Sequence, residues 1–339
     1  MNSGTPLDEM LRLQLMSGPW ISQSLYAAAV LGLADLLGDE PVAVGTLAAS
    51  TGTHADTLYR FCRALAGLDL FAEHPGRTFT LRPLGATLRT DQPGTLRYAM
   101  MMHGAEGYRA WADVLHTLRT GEPAFDHVFG MSFFEYLDKN PDANDTFSRT
   151  MGVSDQPPEI LDRVDFGGAR RIVDVGGGTG SVLATVLRRA PGATGVLVDL
   201  PPVVAEAPAN LSARGVADRC EIVAGSFFGD LPADGDTYLL SRVLHDWDDS
   251  RALRLLTGIH QAMRPDGRLV VVDHLLPPAD SFHPGLFADL HMLVVLGGRD
   301  RTRAELTALL ERAGFAVTAV HTSEDSENPR AQSCLEARR

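Results

Sequence analysis

One histidine stands among acidic residues in a pattern that could move a proton. His245 ends an apolar segment typical of a strand, in the stretch LLSRVLHDWDD. Asp273 in VVVDHLLP and Asp300 in GGRDRT occupy equivalent positions after later segments. A histidine that acts as a general base needs a carboxylate to fix its tautomer and to stabilise the imidazolium that forms. The pattern therefore predicts a base, His245, held by Asp273 and Asp300.

A glycine-rich loop lies upstream, in RIVDVGGGTG, where the backbone must turn tightly and approach a ligand closely. Its alternating glycines are Gly176, Gly178 and Gly180. The spacing excludes two phosphate-binding loops. A P-loop requires a lysine after its glycines, and none follows here. In a dinucleotide fingerprint, the position of Ser181 would hold the third glycine. The loop, with an acidic residue before it, resembles the nucleoside loop of S-adenosylmethionine (SAM) methyltransferases. Asp199, which ends the next predicted strand, could then accept both ribose hydroxyls. An ordinary turn capped by Asp199 is the alternative.

A base beside a methyl donor would suit transfer to a hydroxyl group. A phenol has a pKa near ~10, so little phenolate exists at neutral pH. A base with a pKa near ~6.5 can remove the proton as the methyl group transfers, typically for a gain of ~10²–10⁴-fold. The residues Asp246, Asp248 and Asp249 next to His245 also allow a metal site, but adjacent carboxylates in a polar turn are usually solvated.

Composition limits the partners. The net charge is −13 and only 22% of residues are charged, with no block of lysines or arginines. Such a chain is poorly suited to nonspecific binding of nucleic acid or anionic membrane. The cysteines lie far apart and predict free thiols: Cys62, Cys220 and Cys334. No signal peptide is visible, and the apolar stretch around Asp35 is shorter than the ~20 residues that a spanning helix needs. We expect a cytoplasmic protein.

The elements that position these residues fall into two predicted domains, 1–160 and 161–339. From Arg171 onward, apolar strands alternate with helical segments, which indicates a parallel, doubly wound sheet whose ligands lie beyond the carboxyl ends of the strands. Thr302 and Glu305 form a capping-box pattern for a late helix. Two final strands, FAVTAVHT and SCLEARR, are predicted to form a hairpin.

The N-terminal half is predicted to be mostly helical. Residues 7–38 have helical periodicity with a break at Gly18-Pro19, and two short helices and a hairpin follow, in the order of a winged helix. Further helices cover RAWADVLHTLRTG and SFFEYLDKNPDANDTFSRTMG. Residues 42–90 contain five arginines against three acidic residues, a net charge of +2, which is a weak footprint for DNA binding. A structural and dimerisation module is the favoured interpretation.

Taken together, the motifs identify a family resemblance that spans nearly the whole chain. The glycine loop, LVDLP, GSFF, LLSRVLHDWDD, VVVDHLLPP, DLHMLVVLGGRDRT and LLERAGF, in this order, resemble the metal-independent SAM-dependent O-methyltransferases, in particular the actinomycete enzymes of aromatic natural products. The resemblance implies a Rossmann-like α/β sheet behind a winged-helix-like dimerisation domain. It also implies a homodimer, conversion of SAM to S-adenosylhomocysteine without a metal, and a phenolic acceptor.

Position by position, the resemblance makes His245 the general base, flanked by Asp273 and Asp300. It implies cofactor contacts by Asp174, Gly176, Gly178, Asp199, Leu200, Gly225, Ser226, Phe227, Ser241 and Arg242. Aromatic, histidine and methionine residues fall in segments that line the family's substrate pocket: Trp111, Phe147, Met151, His291 and Met292. Core packing is the alternative role for each of these.

Three departures from the family pattern bear on these roles. Asp273 and Asp300 stand where plant members carry glutamates, Ser226 replaces an acidic residue near the adenine, and Ser241 replaces a lysine. Two other functions stay open at this point. A diverted enzyme could hydroxylate or decarboxylate its substrate with SAM as a structural ligand, and a SAM-sensing winged-helix regulator could bind DNA.

Overall fold

A computed structural model describes residues 18–153, 157–277, 283, 285–322 and 332–339. The described residues up to Ala112, together with 131–153, form one compact unit, and 113–130 with the described residues from 157 onward form a second. The expected division into 1–160 and 161–339 therefore differs from the structure at 113–130 and at 157–160, which both belong to the second unit. Their helix Ala124–Phe129 packs on the helix Gly285–Leu296 of the second unit, which a sequence pattern could not reveal.

The first unit begins at the predicted break. Helix α1 (Pro19–Val30) starts after Gly18, which has a left-handed φ of 74°, and proline occupies its first turn. Gly32, with φ 64°, separates α1 from the short α2 (Leu33–Leu36), so the helix predicted to continue to residue 38 is interrupted there. The part of that prediction that covers 7–17 lies outside the described residues.

A winged-helix arrangement follows, as predicted. Its elements are β1 (Val42–Ala43), α3 (Val44–Thr51), α4 (Ala55–Gly67), β2 (Phe71–His74) and β3 (Thr78–Leu81). Strand β3 pairs antiparallel with both β1 and β2. Helix α4 buries Leu58, Cys62 and Leu65, which share one face at helical spacing, against Phe71 and Phe79 of the hairpin. The module is held by this core.

Short helices continue the chain: α5 (Pro83–Ala86), α6 (Arg97–Met102), a π-helical turn (His103–Gly107), α7 (Tyr108–Trp111), α8 (Val114–Thr120), α9 (Ala124–Phe129), α10 (Phe133–Lys139) and α11 (Pro141–Val153). Both helices predicted here are divided. The first breaks at Asp113, which leaves helical geometry with ψ 24°. The second breaks at Asn140, because a residue before proline is pushed out of the α conformation.

The second unit contains the predicted sheet. Its strands are β4 (Arg171–Val175), β5 (Thr194–Asp199), β6 (Cys220–Ala224), β7 (Thr237–Ser241), β8 (Arg268–Asp273), β11 (Ala316–His321) and β12 (Ser333–Arg338). Their order is β11-β12-β8-β7-β4-β5-β6. The pairs among β4 to β8 are parallel, whereas β12 runs antiparallel to β8 and forms the predicted hairpin with β11.

Helices cover both faces of the sheet, because alternate strand residues point to opposite sides. Val173 and Val271 pack with α15 (Asp249–Ala262) and α17 (Arg303–Arg312), while Ile172 and Val270 pack with α12 (Ser181–Arg189). The remaining helices are α13 (Pro201–Val204), α14 (Ala207–Ala213) and α16 (Gly285–Leu296), with 3₁₀ turns at Glu159–Arg163, Ala217–Arg219 and Leu244–Asp246. Among the described residues, none of these helices combines the length and apolar character needed to cross a bilayer.

The topology brings the carboxyl ends of β4, β5, β7 and β8 to one edge of the sheet. A short parallel pair, β9 (Leu275–Leu276) with β10 (Arg301–Thr302), then joins the chain after Asp273 to the chain after Asp300. Thr302 and Glu305 form the predicted capping box at the start of α17, which fixes the direction of the chain beyond β10. The three predicted catalytic residues are thereby assembled from distant parts of the sequence.

Candidate active site

His245 lies in the 3₁₀ turn just beyond β7, and the backbone around it is held from two sides. Arg242, the residue after β7, adopts a left-handed φ of 59° and donates its N–H to Val272 O at 2.8 Å. Arg299 N–H donates to His245 O at 2.8 Å. Left-handed backbone at a residue other than glycine is costly and persists where the surroundings require it. The His245 turn is therefore a constrained site.

Asp273 holds the imidazole as predicted. Nδ1 of His245 lies 2.6 Å from Asp273 Oδ1, and the same oxygen accepts the His274 N–H at 2.9 Å. Burial disfavours the imidazolium, but Asp273, Asp246 and Asp300 outweigh it and raise the pKa of His245 to about 10. Burial also opposes the charge of Asp273, yet His245 holds the pKa of that carboxyl below its usual range. The two groups thus favour each other's charged forms, imidazolium and carboxylate.

Asp300 reaches the same ring less closely. His245, Asp273 and Asp300 offer polar atoms that lie within 4.8 Å of one another, and the buried Asp300 Oδ1 has no hydrogen bond to any described residue. Burial raises the pKa of Asp300 to about 7, against the opposing charge of His245. Asp289 accepts the Asp300 N–H at 2.8 Å and so fixes its backbone. At position 273, aspartate is shorter than the glutamate of plant members but still bonds to His245. Asp300 lies near the ring as a second acid.

Asp246 is a site residue that the sequence analysis did not select. Its Oδ1 lies 3.4 Å from His245 Nε2, on the side of the ring opposite Asp273. Burial raises the pKa of Asp246 to about 6, against the opposing effect of His245. Its position next to His245 was the one sequence signal for a role in the site, but most carboxylates next to a histidine are simply exposed to solvent. This side chain adds a second charge that favours the imidazolium.

Arg301 was also missed, and it fastens the His245 turn. Its guanidinium, 3% exposed, donates to Leu244 O and Trp247 O at 2.9 Å each, the residues that bracket the turn. It also pairs with Asp249 Oδ1 at 2.8 Å. A buried arginine cannot be told from an exposed one by residue type. These bonds couple the position of β10, and hence Asp300, to that of His245.

Gly298 allows this close approach. A Cβ at Gly298 would lie 2.3 Å from His245 O and 2.9 Å from the carbonyl carbon of Asp246. Backbone at that distance cannot move away without shifting the turn itself. The chain between α16 and β10 can therefore touch the His245 turn only because glycine occupies this position.

The predicted cofactor loop has the shape that its glycines suggest. Gly176, Gly178 and Gly180 all have left-handed φ, at 71°, 62° and 86°. A Cβ on Gly178 would meet no atom within 4 Å, so this position faces open space. Asp199 Oδ2 accepts the Gly178 N–H at 2.8 Å and Oδ1 accepts the Leu200 N–H at 2.7 Å. The loop and the carboxylate form one structure, which leaves the space beside Gly178 open.

Two buried polar side chains beside the loop have few hydrogen-bond donors near them among the described residues. Asp174 is fully buried beneath the loop, where Leu183 N–H lies close enough to counter part of the effect of burial on its pKa. Burial and the charge of Asp199 raise the pKa of Asp174 to about 7. Ser241 Oγ at the end of β7 is buried and forms no hydrogen bond with the part of the chain that the structure describes. Such groups fit a polar ligand at this edge, and a cationic sulfonium would suit the acidic surroundings.

The adenine-side candidates lie beyond β6 at the same edge. Gly225 N–H donates to Asp199 O at 2.9 Å, which ties the two strand ends together. Ser226 is exposed and its hydroxyl accepts the Phe228 N–H at 3.3 Å. Phe227 packs edge-on against Trp247, at 5.9 Å between ring centroids. The structure thus brings all the predicted cofactor residues to the carboxyl edge of the sheet.

The predicted substrate residues divide between the two units. Trp111, Phe147 and Met151 belong to the first unit, where Phe147 packs edge-on against Phe133 at 5.4 Å and Met151 is exposed. His291 and Met292 lie half-buried on α16 of the second unit. Contact with a substrate therefore stays a prediction for these five residues.

Comparison with known proteins identifies the architecture. Residues 109–316 match the O-methyltransferase domain, and residues 13–91 match the O-methyltransferase dimerisation domain. The chain belongs to the O-methyltransferase family. It is 44% identical to a phenazine O-methyltransferase of Lysobacter antibioticus over 93% of each chain. It resembles the solved mitomycin 7-O-methyltransferase MmcR with a TM-score of 0.88 and 36% identity, over 98% of this chain and 97% of that one.

A third similarity bears on the cofactor. The enzyme is 31% identical to NcsB1, an O-methyltransferase of neocarzinostatin biosynthesis, with a TM-score of 0.82 over 94% of this chain and 95% of that chain. The NcsB1 structure contains SAM and 2-hydroxy-5-methyl naphthoic acid. The predicted family, fold class and cofactor are confirmed: this enzyme is a SAM-dependent methyltransferase whose sequence places a dimerisation domain before the catalytic domain.

Proposed function

We propose that the enzyme methylates a hydroxyl, in the simplest case a phenolic one, on an aromatic natural product, with His245 as the general base. The observation that carries this proposal is the 2.6 Å bond between His245 Nδ1 and Asp273, at the sheet edge that also holds the glycine loop. A hydroxyl is a weak nucleophile until it loses its proton, so a positioned base has a purpose at this edge. The aromatic ligand of NcsB1 and the phenazine named for the Lysobacter relative support an aromatic acceptor.

The side chains divide the work as follows. SAM, when bound, supplies the methyl group. Asp273 accepts the Nδ1–H of His245, so that the lone pair of the neutral ring lies on Nε2, the nitrogen that can take the acceptor proton. Because the surrounding carboxylates favour the imidazolium, the ring must first lose a proton. We therefore expect the rate to rise with pH above neutrality. Asp300 and Asp246 stabilise the imidazolium that forms again during transfer.

The cofactor residues hold the donor in this proposal. Asp199 has further lone pairs beyond its two backbone bonds and can accept ribose hydroxyls. Gly178 leaves the space that the nucleoside needs, and Phe227 offers an apolar ring face for the adenine. Trp111, Phe147, Met151, His291 and Met292 remain the candidates for the acceptor pocket, and no metal ion takes part in the transfer.

The proposal includes a cytoplasmic homodimer that does not act on nucleic acid or membranes. The dimerisation domain supports the dimer, and exposed apolar side chains such as Trp20 and Leu84 lie within it. Four of its five arginines in 42–90 are used in internal ion pairs, with Asp56, Asp69, Glu73 and Asp91. Arginines whose charge is offset by an acidic neighbour attract a phosphate backbone poorly. Three free thiols fit a reducing compartment.

A product assay tests the proposal. The enzyme is incubated with SAM and hydroxylated naphthoates, benzoates and phenazines, and S-adenosylhomocysteine and the aromatic product are quantified by mass spectrometry. Equal amounts of S-adenosylhomocysteine and a methyl ether support the assignment. A methyl group on nitrogen would overturn the hydroxyl acceptor. A hydroxylated or decarboxylated product without S-adenosylhomocysteine would show that the scaffold has been diverted from methyl transfer.

A further inference from the structure

A second group of histidine and acidic side chains lies away from the proposed catalytic residues, on the helical hairpin of α8 and α9. Asp113, His116 and His127 offer polar atoms that lie within 4.8 Å of one another. His127 Nδ1 is 2.6 Å from Asp113 Oδ2, and the rings of His116 and His127 stack at 4.1 Å with only 5° between their planes. Glu122 adds a carboxylate 3.9 Å from His116 Nε2.

The backbone of the hairpin is firmly held. Thr117, 2% exposed, accepts the Ala124 N–H on its hydroxyl at 2.9 Å and the Gly121 N–H on its carbonyl at 2.8 Å. Ala124 and Phe125 are fully buried. A rigid turn therefore fixes the backbone that carries Asp113, His116 and His127, while the side chains remain in reach of solvent: that of His127 is 59% exposed and that of Asp113 37%.

Two imidazole nitrogens and a carboxylate oxygen form the ligand set that zinc and similar divalent transition metals prefer. A tetrahedral ion with bonds of about 2.0–2.1 Å would draw the three ligand atoms to roughly 3.3 Å apart. A metal lies in the plane of each imidazole that binds it, so the parallel stack must open. Exposed His127 can make this adjustment by rotating its side chain, and Glu122 or water can complete the coordination.

We propose that Asp113, His116 and His127 bind one divalent transition-metal ion, of the zinc class, that ties α8 to α9. The ion would be structural. Helix α9 packs against α16, and Pro123 at the turn lies against Gly297 beyond the end of α16. A metal ion at the hairpin would therefore stabilise the packing of α9 against α16. The ion would take no part in methyl transfer.

The test uses the full-length enzyme without an affinity tag, stripped with a chelator. Cobalt(II) is titrated with detection of its visible absorption, and zinc is titrated by calorimetry. We expect one ion per chain at micromolar concentration or below, with the intense absorption of four-coordinate cobalt and a raised unfolding midpoint. His116→Ala and His127→Ala should each weaken binding at least about tenfold, while circular dichroism shows that the metal-free variants are folded.

Two control variants locate the ion. His54→Ala removes another exposed histidine, and His245→Ala removes the other histidine–aspartate group, so both should bind metal like the original enzyme. Absence of binding below millimolar concentration would overturn the proposal. So would binding that survives the double change of His116 and His127 to alanine, or binding that is lost only in His245→Ala.

Discussion

Replacement of Asp273 by asparagine tests the role of the carboxylate that holds His245. The change keeps the size of the side chain and removes its charge from a contact of 2.6 Å. A hydrogen bond to a charged group contributes about 1.5–3 kcal/mol net. At 1.36 kcal/mol per pKa unit, its loss should lower the pKa of His245 by about 1–2 units.

The same energy bears on the rate. If the imidazolium that forms during transfer loses about 1.5–3 kcal/mol of stabilisation, kcat falls about 10- to 150-fold. The amide can also donate to Nδ1 and so place the ring proton on Nε2, which would deepen the loss. SAM affinity should change little, because Asp273 does not belong to the predicted cofactor loop.

The assay measures initial rates of S-adenosylhomocysteine formation from pH 6 to pH 10 at saturating SAM, with SAM binding followed by calorimetry. Asp138→Asn, on the exposed side of α10, is the matched control and should behave like the original enzyme. The ascending limb of the pH–rate profile should move to lower pH in Asp273→Asn while its plateau drops. A variant that keeps kcat within threefold, with an unmoved profile, would refute the reasoning.

Three further changes test other parts of the site. Asp246→Asn removes the charge near Nε2, so the pKa of His245 should fall and the ascending limb of the pH–rate profile should move to lower pH by about one unit; an unmoved limb would contradict the electrostatic role of Asp246. Gly178→Ala places a Cβ in the space kept for the nucleoside, and calorimetry should show SAM affinity at least about tenfold weaker, whereas Gly215→Ala, which has the same open space and a left-handed φ of 71° but lies outside the loop, should leave it unchanged. Equal SAM affinities of the two variants would show that the nucleoside does not bind at the loop. Asp174→Asn tests a contribution to stability. Burial raises the pKa of Asp174 to about 7, so the buried charge destabilises the folded enzyme when it is present. This destabilisation is absent below the pKa of the unfolded chain and grows as the pH rises from about 4 to 7. The gain in unfolding midpoint of the ligand-free variant should therefore be larger at pH 8 than at pH 4.5, and a gain independent of pH would show that the carboxyl is not titrating as described.

The order of elements and the main site residues could be predicted because they depend on local patterns. Apolar segments of strand length end in Asp174, Asp199, Ser241 and Asp273, and parallel strands bring such ends together. The capping box at Thr302 is a property of four consecutive residues. For these features, residue type and spacing carried the information.

Other features depend on contacts between distant residues. Residues 113–130 belong to the catalytic unit because α9 packs on α16. The burial of Arg301 and the raised pKa of Asp246 result from the folded surroundings of the His245 turn. Position 273 shows that a contact could also not be predicted from the length of a side chain. The family pattern has the longer glutamate there, and only the structure shows that an aspartate reaches His245 Nδ1.

The most direct test of His245 as the base compares His245→Ala with the original enzyme on a series of phenolic acceptors of falling pKa. With an acceptor of pKa near 10 at pH 7.5, the variant should be slower by about 10²–10⁴-fold, at unchanged SAM affinity. An acceptor with a pKa near 7 is largely ionised already, so the deficit should shrink to within about tenfold. A deficit that is the same for every acceptor, or no deficit with any of them, would contradict proton removal by His245.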